Sequence, residues 1–147
     1  MTPLRHAGGV CVFDGPWHFG LRDNTLVAVF PHPPTVDPYD AEAHAREIVQ
    51  EMRREQYGRL IVLSHLSLRG MVPGSESREM ARGRDCYLPL EILDEVSKPT
   101  LVLSGHYHKP TEWRRGPGKH TVHVVGSIDR FTFGEEDNEP RAMVLEW

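Results

Sequence analysis

The sequence predicts an α/β fold, and three observations predict it. Two short, wholly apolar runs, Leu60–Leu63 and Leu101–Leu103, have the composition of strands buried on both faces. Between Asp40 and Tyr57 apolar residues recur at three- and four-residue steps, the period of a helix. Beyond Leu103 the chain alternates between β patterns and turn residues. The order strand, strand, helix, strand, helix, strand and β-rich tail describes an α/β start that continues into antiparallel sheet.

In chain order, Val10–Phe13 and Leu26–Phe30 are the first apolar runs, punctuated by Asp14-Gly15-Pro16 and Asp23-Asn24. They read as two strands joined by a loop. Pro31-His32-Pro33-Pro34 is a rigid loop, because proline has no N–H to give a helix or a central strand. The helix that follows carries Ala41, His44, Ala45, Ile48, Val49 and Met52 on one stripe, with Asp40 as N-cap and Gly58 as its stop. A polar loop, 69–85, is rich in Gly, Ser and Arg. Pro89–Val96 reads as a short helix with Leu90, Ile92 and Leu93 buried. Glu112–Arg115, Thr121–Val125, Phe131–Phe133 and Ala142–Trp147 are the strand candidates of the tail, with Gly116-Pro117-Gly118 as a hairpin turn.

The 147 residues suit one domain with one core, and a hydrophobic content of 39% is low for a self-sufficient globule. A net charge of -4 exerts no general pull on nucleic acid or anionic membrane. Two cysteines, Cys11 and Cys86, make a disulfide framework an unsuitable reading and favour a reducing compartment. With no apolar run long enough to span a bilayer and no signal-like start, the expectation is a soluble cytoplasmic protein.

The chemistry-bearing residues stand where the buried strands end. Leu60–Leu63 runs into Ser64-His65, and Leu101–Leu103 into Ser104-Gly105-His106-Tyr107-His108. Ligands of open α/β sheets gather beyond the carboxyl ends of the strands, so parallel neighbours would present His65 and His106 side by side. Gly105 lets the backbone turn sharply or approach a bound group closely. His108 reaches past His106 toward a second point. Neutral imidazoles converging on a crevice suit a borderline divalent cation, and two such ions can clamp a phosphate and activate water. A single histidine after a strand is, on the plainer view, a hydrogen-bonded loop residue.

Several motifs together carry a resemblance. Val102–Pro110 resembles the terminal Gly-His-x-His motif of calcineurin-like metallophosphoesterases, and Leu63-Ser64-His65 with Gly70 resembles that family's middle histidine motif. Val124–Arg130 with Phe133-Gly134-Glu135 resembles the tail of its DNA-repair exonuclease (SbcD-like) branch. The resemblance implies the C-terminal half of a four-layer sandwich, with mixed β-sheets flanked by helices. It implies a hydrolase of phosphoester bonds, DNA among the substrates, with manganese, iron or zinc as the metals. His65 and His106 would hold one ion and His108 the other, while Gly126 and Ser127 would close a turn beside the metal-bearing loops.

The chain departs from that family where the first half of the site should be. Complete members carry Asp-x-His, Gly-Asp and Gly-Asn-His-Asp, and none of these occurs here. Asp14 with His18, and Asp40 with His44, are spaced too widely to make Asp-x-His. Three imidazoles bring no negative charge and no bridging carboxylate to two divalent ions. The expectation is therefore a partly encoded two-metal site that is inactive or weakly active alone. Its partners would be a separate N-terminal half or an ATPase-type subunit. A non-catalytic assembly module or an inactive remnant of the same fold is the alternative, and a mononuclear zinc protein would need a carboxylate beside the histidines.

The other candidates carry plainer readings. His32 is an exposed loop residue at the rim of the site, and His44 a boundary residue of the core. His120 and His123 should point to opposite faces of a strand. Arg69, Arg78, Arg82 and Arg84 flank the loop after His65 as solvated charges. Glu135-Glu136-Asp137 is a solvated turn, and Trp113 and Trp147 are packing residues.

Overall fold

The computed structural model describes residues 4–7, 10–13, 15–32, 39–69, 71, 86–115, 120–127, 140 and 142–144. Apolar alternation builds a mixed six-stranded sheet within this α/β fold, in the order β3-β4-β5-β6-β8-β7. Its strands are β3 (Trp17–Gly20), β4 (Thr25–Phe30), β5 (Arg59–Ser64), β6 (Thr100–Ser104), β7 (Thr111–Arg115) and β8 (His120–Val124). β4, β5, β6 and β8 run parallel, and β3 and β7 pair antiparallel at the two edges. A separate antiparallel pair joins β1 (Leu4–Ala7) to β2 (Val10–Val12).

One row of side chains fixes the register. Ala28, Val62, Val102 and Val122 stand opposite one another across the four parallel strands. All are buried in the main core with Leu26, Phe30 and Leu60. Because strand side chains alternate, a one-residue slip would turn this row out of the core. Helix α1 (Ala41–Arg54) contributes Ala45, Ile48, Val49 and Met52 to the same core. The Asp40 carboxylate accepts from the Ala43 N–H at 2.9 Å, and Arg53 and Arg54 in the last turn complement the helix dipole. Helix α2 (Leu90–Leu93) buries Leu90 and Leu93. Arg115 of β7 grips the Asp94 carboxylate at the end of α2 with two hydrogen bonds, of 2.6 and 3.3 Å.

The second face of the sheet is covered unevenly. Val27, Val29 and Ile61 pack with Phe13 and Phe19. Leu63 is 39% exposed, and Leu101 and Leu103 are half-buried. The expectation that β5 and β6 are buried on both faces therefore holds for Leu60–Val62 and Val102 and fails for these three leucines.

Other boundaries differ from expectation for local reasons. Val10–Val12 and Leu26–Phe30 are strands, as expected, and each also pairs with a strand that drew no attention, β1 and β3 respectively. Helix α1 stops at Arg54 instead of Tyr57, because Glu55 is extended and Tyr57 folds its ring onto Gly20 of β3. The short helix expected over Pro89–Val96 shrinks to a single turn without a side-chain cap. Residues 142–144 form no strand. Phe131–Phe133, Gly116–Gly118, Arg78, Arg82, Arg84, Glu135–Asp137 and Trp147 lie outside the described residues.

The turns after β5 and β6 are tied by Tyr107, which is 4% exposed. The Leu68 N–H donates to its hydroxyl at 3.2 Å, and the hydroxyl donates to the Leu68 carbonyl at 3.3 Å. Tyr107→Phe leaves both backbone groups buried without that partner and should destabilise the protein by about 1–3 kcal/mol. Urea denaturation checks this, and an unchanged midpoint would contradict it.

Candidate functional site

Parallel pairing carries the strand ends to one place. Phe30 stands opposite Ser64, and Ser64 opposite Ser104. The ladder continues one step beyond the strands. The His65 N–H donates to the Phe30 carbonyl, and the Gly105 N–H to the Ser64 carbonyl, both at 2.8 Å. The Ser64 hydroxyl accepts from the Leu66 N–H at 3.1 Å, which turns the chain out of β5 directly after His65. His65 and His106 thus emerge side by side, as their sequence positions predict, with ring centroids 5.3 Å apart.

His32 completes a triangle. Its ring centroid lies 5.9 Å from that of His65 and 5.8 Å from that of His106. His32 is exposed, as its loop position predicts, and stands at the rim beside these two rings. β4 is parallel to β5, so the residue that follows its end belongs to the same crevice. His108 acts on His65 electrostatically. Partial desolvation of the ring, then the neighbouring charges of His32 and His108, hold the His65 pKa below the usual imidazole value. The shift favours the neutral form of His65, the form that binds a metal.

The backbone at this point is strained. The Tyr107 N–H donates to the Gly105 carbonyl at 2.9 Å, and His106 between them has φ 74°. This is a γ-turn of the rare positive-φ kind, and such conformations cost of order 1–3 kcal/mol and concentrate at functional sites. The sharp turn falls to His106, not to Gly105 as the sequence suggests. Gly105 serves the other purpose foreseen for it, close approach, since a Cβ there would lie 2.9 Å from Nδ1 of His65. Gly126 has φ 85° and packs against the His108 carbonyl, while the Ser127 N–H donates to that carbonyl at 3.2 Å. Together they brace the loop that carries His106 and His108.

The imidazole spacing suits a shared ion. Two imidazoles bound to one tetrahedral ion at ~2.1 Å place their ring centroids about 5 Å apart. Neither His65, His106 and His108 nor His32, His65 and His106 converge as a single three-atom chelate. Among the described residues, the group whose donor atoms all lie within 4.8 Å of one another is His18, His44 and Glu47. Sequence reasoning missed this group. His18 sits on β3 and reaches α1 only through strand pairing, and His44 was assigned to the core boundary. The readable signal was His44 and Glu47 at i and i+3, on one face of a helix.

His120 and His123 behave as read. His120 is buried and His123 faces the other way, 3.3 Å from a Glu112 carboxylate oxygen. Arg69 stacks over the Tyr87 ring at 5.6 Å. No helix among the described residues is long and apolar enough to cross a membrane.

Gly105→Ala tests the packing of the histidine pair. Its Cβ should displace the His65 ring while changing stability by less than about 1 kcal/mol, because that ring is free to swing outward. NMR signals of the His65 imidazole should move, and unchanged signals would contradict the close approach. Comparison with known proteins adds no assignment: no family model matches the chain, and no curated protein matches it significantly.

Proposed function

We propose that this protein is the histidine-bearing half of a two-metal phosphoesterase, with phosphodiesters, DNA among them, as the substrate class. The observation that carries the reading is the placing of His32, His65 and His106 beyond three adjacent parallel strands, with ring centroids 5.3–5.9 Å apart. The Gly-His-x-His motif and the strained turn at His106 support it.

In this reading His65 and His106 hold one divalent ion, manganese, iron or zinc, and His108 contributes to a second. A bound pair of such ions supplies Lewis acidity toward a phosphoryl oxygen and an activated water. The chain's own part is to orient neutral imidazoles and to hold the loop through Gly126 and Ser127. Among the described residues, the groups that bear on His65 are themselves histidines, which bring ligands but no bridging charge. Those carboxylates would come from a second half of a four-layer sandwich. The half-open sheet face with Leu63, Leu101 and Leu103 supports a further layer docking there.

The test pairs metal binding with hydrolysis. The protein should bind Mn2+, with affinity falling at least about tenfold in His106→Ala, and should hydrolyse bis-p-nitrophenyl phosphate near background by itself. Strong Mn2+-dependent hydrolysis that His106→Ala abolishes would overturn the half-site reading. Mn2+ affinity unchanged by the substitution would overturn the metal assignment and the phosphoesterase with it.

A further inference from the structure

A second cluster of donors lies at the other side of β4, where edge strand β3 meets α1. His18 is paired with Ala28, so its side chain falls on the α1 face of the sheet. His44, 6% exposed, packs edge-on against Phe30 at 4.9 Å and faces His18 with ring centroids 5.6 Å apart. Glu47 lies one helical turn on. One donor atom from each of the three lies within 4.8 Å of the other two.

The hydrogen-bond geometry of a neutral His44 leaves one of its two polar contacts unmade. Its Nε2 stands 3.3 Å from the Trp17 carbonyl oxygen, and its Nδ1 stands 3.5 Å from a Glu47 carboxylate oxygen. A neutral imidazole has one N–H and one lone pair, whereas both neighbours are acceptors. With the proton on Nε2, donated to the carbonyl, the lone pair of Nδ1 faces the carboxylate. A cation between them satisfies both. One ring nitrogen on a backbone carbonyl and the other on a metal is the recurring arrangement of metal-bound histidine.

We propose that His18, His44 through Nδ1 and Glu47 form a mononuclear site for a borderline divalent ion, Zn2+ first. Two imidazoles and a carboxylate are a ligand set that zinc accepts while keeping a fourth position open. His18 and Glu47 also line a cleft of about 380 Å³ with Gln50, Glu51 and Arg54, and the open position belongs on that side. The ion would fasten an edge strand to the helix that covers the sheet. This site shares no residue with the His32, His65 and His106 cluster.

Co2+ serves as the spectroscopic probe, in a His65→Ala/His106→Ala background that disables the other cluster. The folded background protein, verified by circular dichroism, should develop visible d–d absorption saturating at one equivalent. Adding His18→Ala or Glu47→Gln should weaken that binding at least about tenfold, the loss that even an outer-sphere partner can produce. No absorption in the folded background, or absorption indifferent to both substitutions, would overturn the site. Glu47 is an exposed side chain, so Glu47→Gln in the otherwise unaltered protein should leave the fold intact. Bound Co2+ after equilibrium dialysis, at a free Co2+ concentration near the dissociation constant of this site, should fall, and an unchanged content would equally overturn the proposal.

Discussion

Everything described here depends on the register of the parallel strands. Ala28, Val62, Val102 and Val122 form one buried row, and that row permits a single alignment of β4, β5, β6 and β8. The alignment then sets Phe30, Ser64 and Ser104 level at the carboxyl ends. The histidines that follow have no other place to emerge. Hydrophobic packing on one face of the sheet thus determines the spacing of imidazoles at its end, although no imidazole contributes to the row.

The price of that placement is local strain. His106 occupies a positive-φ turn that glycine would adopt without penalty, yet the glycine stands one residue earlier. Gly105 leaves room for the His65 ring, which a Cβ there would have to push aside. The backbone is then held by groups on either side. The Tyr107 hydroxyl bonds both backbone groups of Leu68, and the Ser127 N–H holds the His108 carbonyl. Strain persists only where surrounding structure over-determines it, and these are the contacts that do so here.

Much of this was legible in the sequence, for reasons that differ by element. The apolar runs Leu60–Leu63 and Leu101–Leu103 announced β5 and β6, and local chain order put His65 and His106 at their ends. The stripe from Ala41 to Met52 and the Asp40 cap announced α1. Strands β1 and β3 were not legible, because Leu4–Ala7 and Trp17–Gly20 are short and mix polar with apolar residues. Edge strands of this kind owe their form to the neighbour they pair with. The same reason hid His18 from its partners on α1. His32 was visible as a loop histidine, but only the parallel pairing of β4 with β5 brings it beside the other two rings.

The two clusters differ in what they offer a metal. One groups histidines at strand ends, and in the proposed reading a second half would supply its carboxylates. The other already combines two histidines with Glu47 within 4.8 Å. In the proposed reading, strand register assembles His65 and His106 of the first cluster into a metal-binding pair. Imidazole NMR during addition of substoichiometric Mn2+ tests it most directly, since the paramagnetic ion broadens the rings nearest to it. The ring signals of His65 and His106 should broaden first, with those of His32 and His108 close behind. Sharp signals from all four, while rings elsewhere broaden or none does, would contradict the claim.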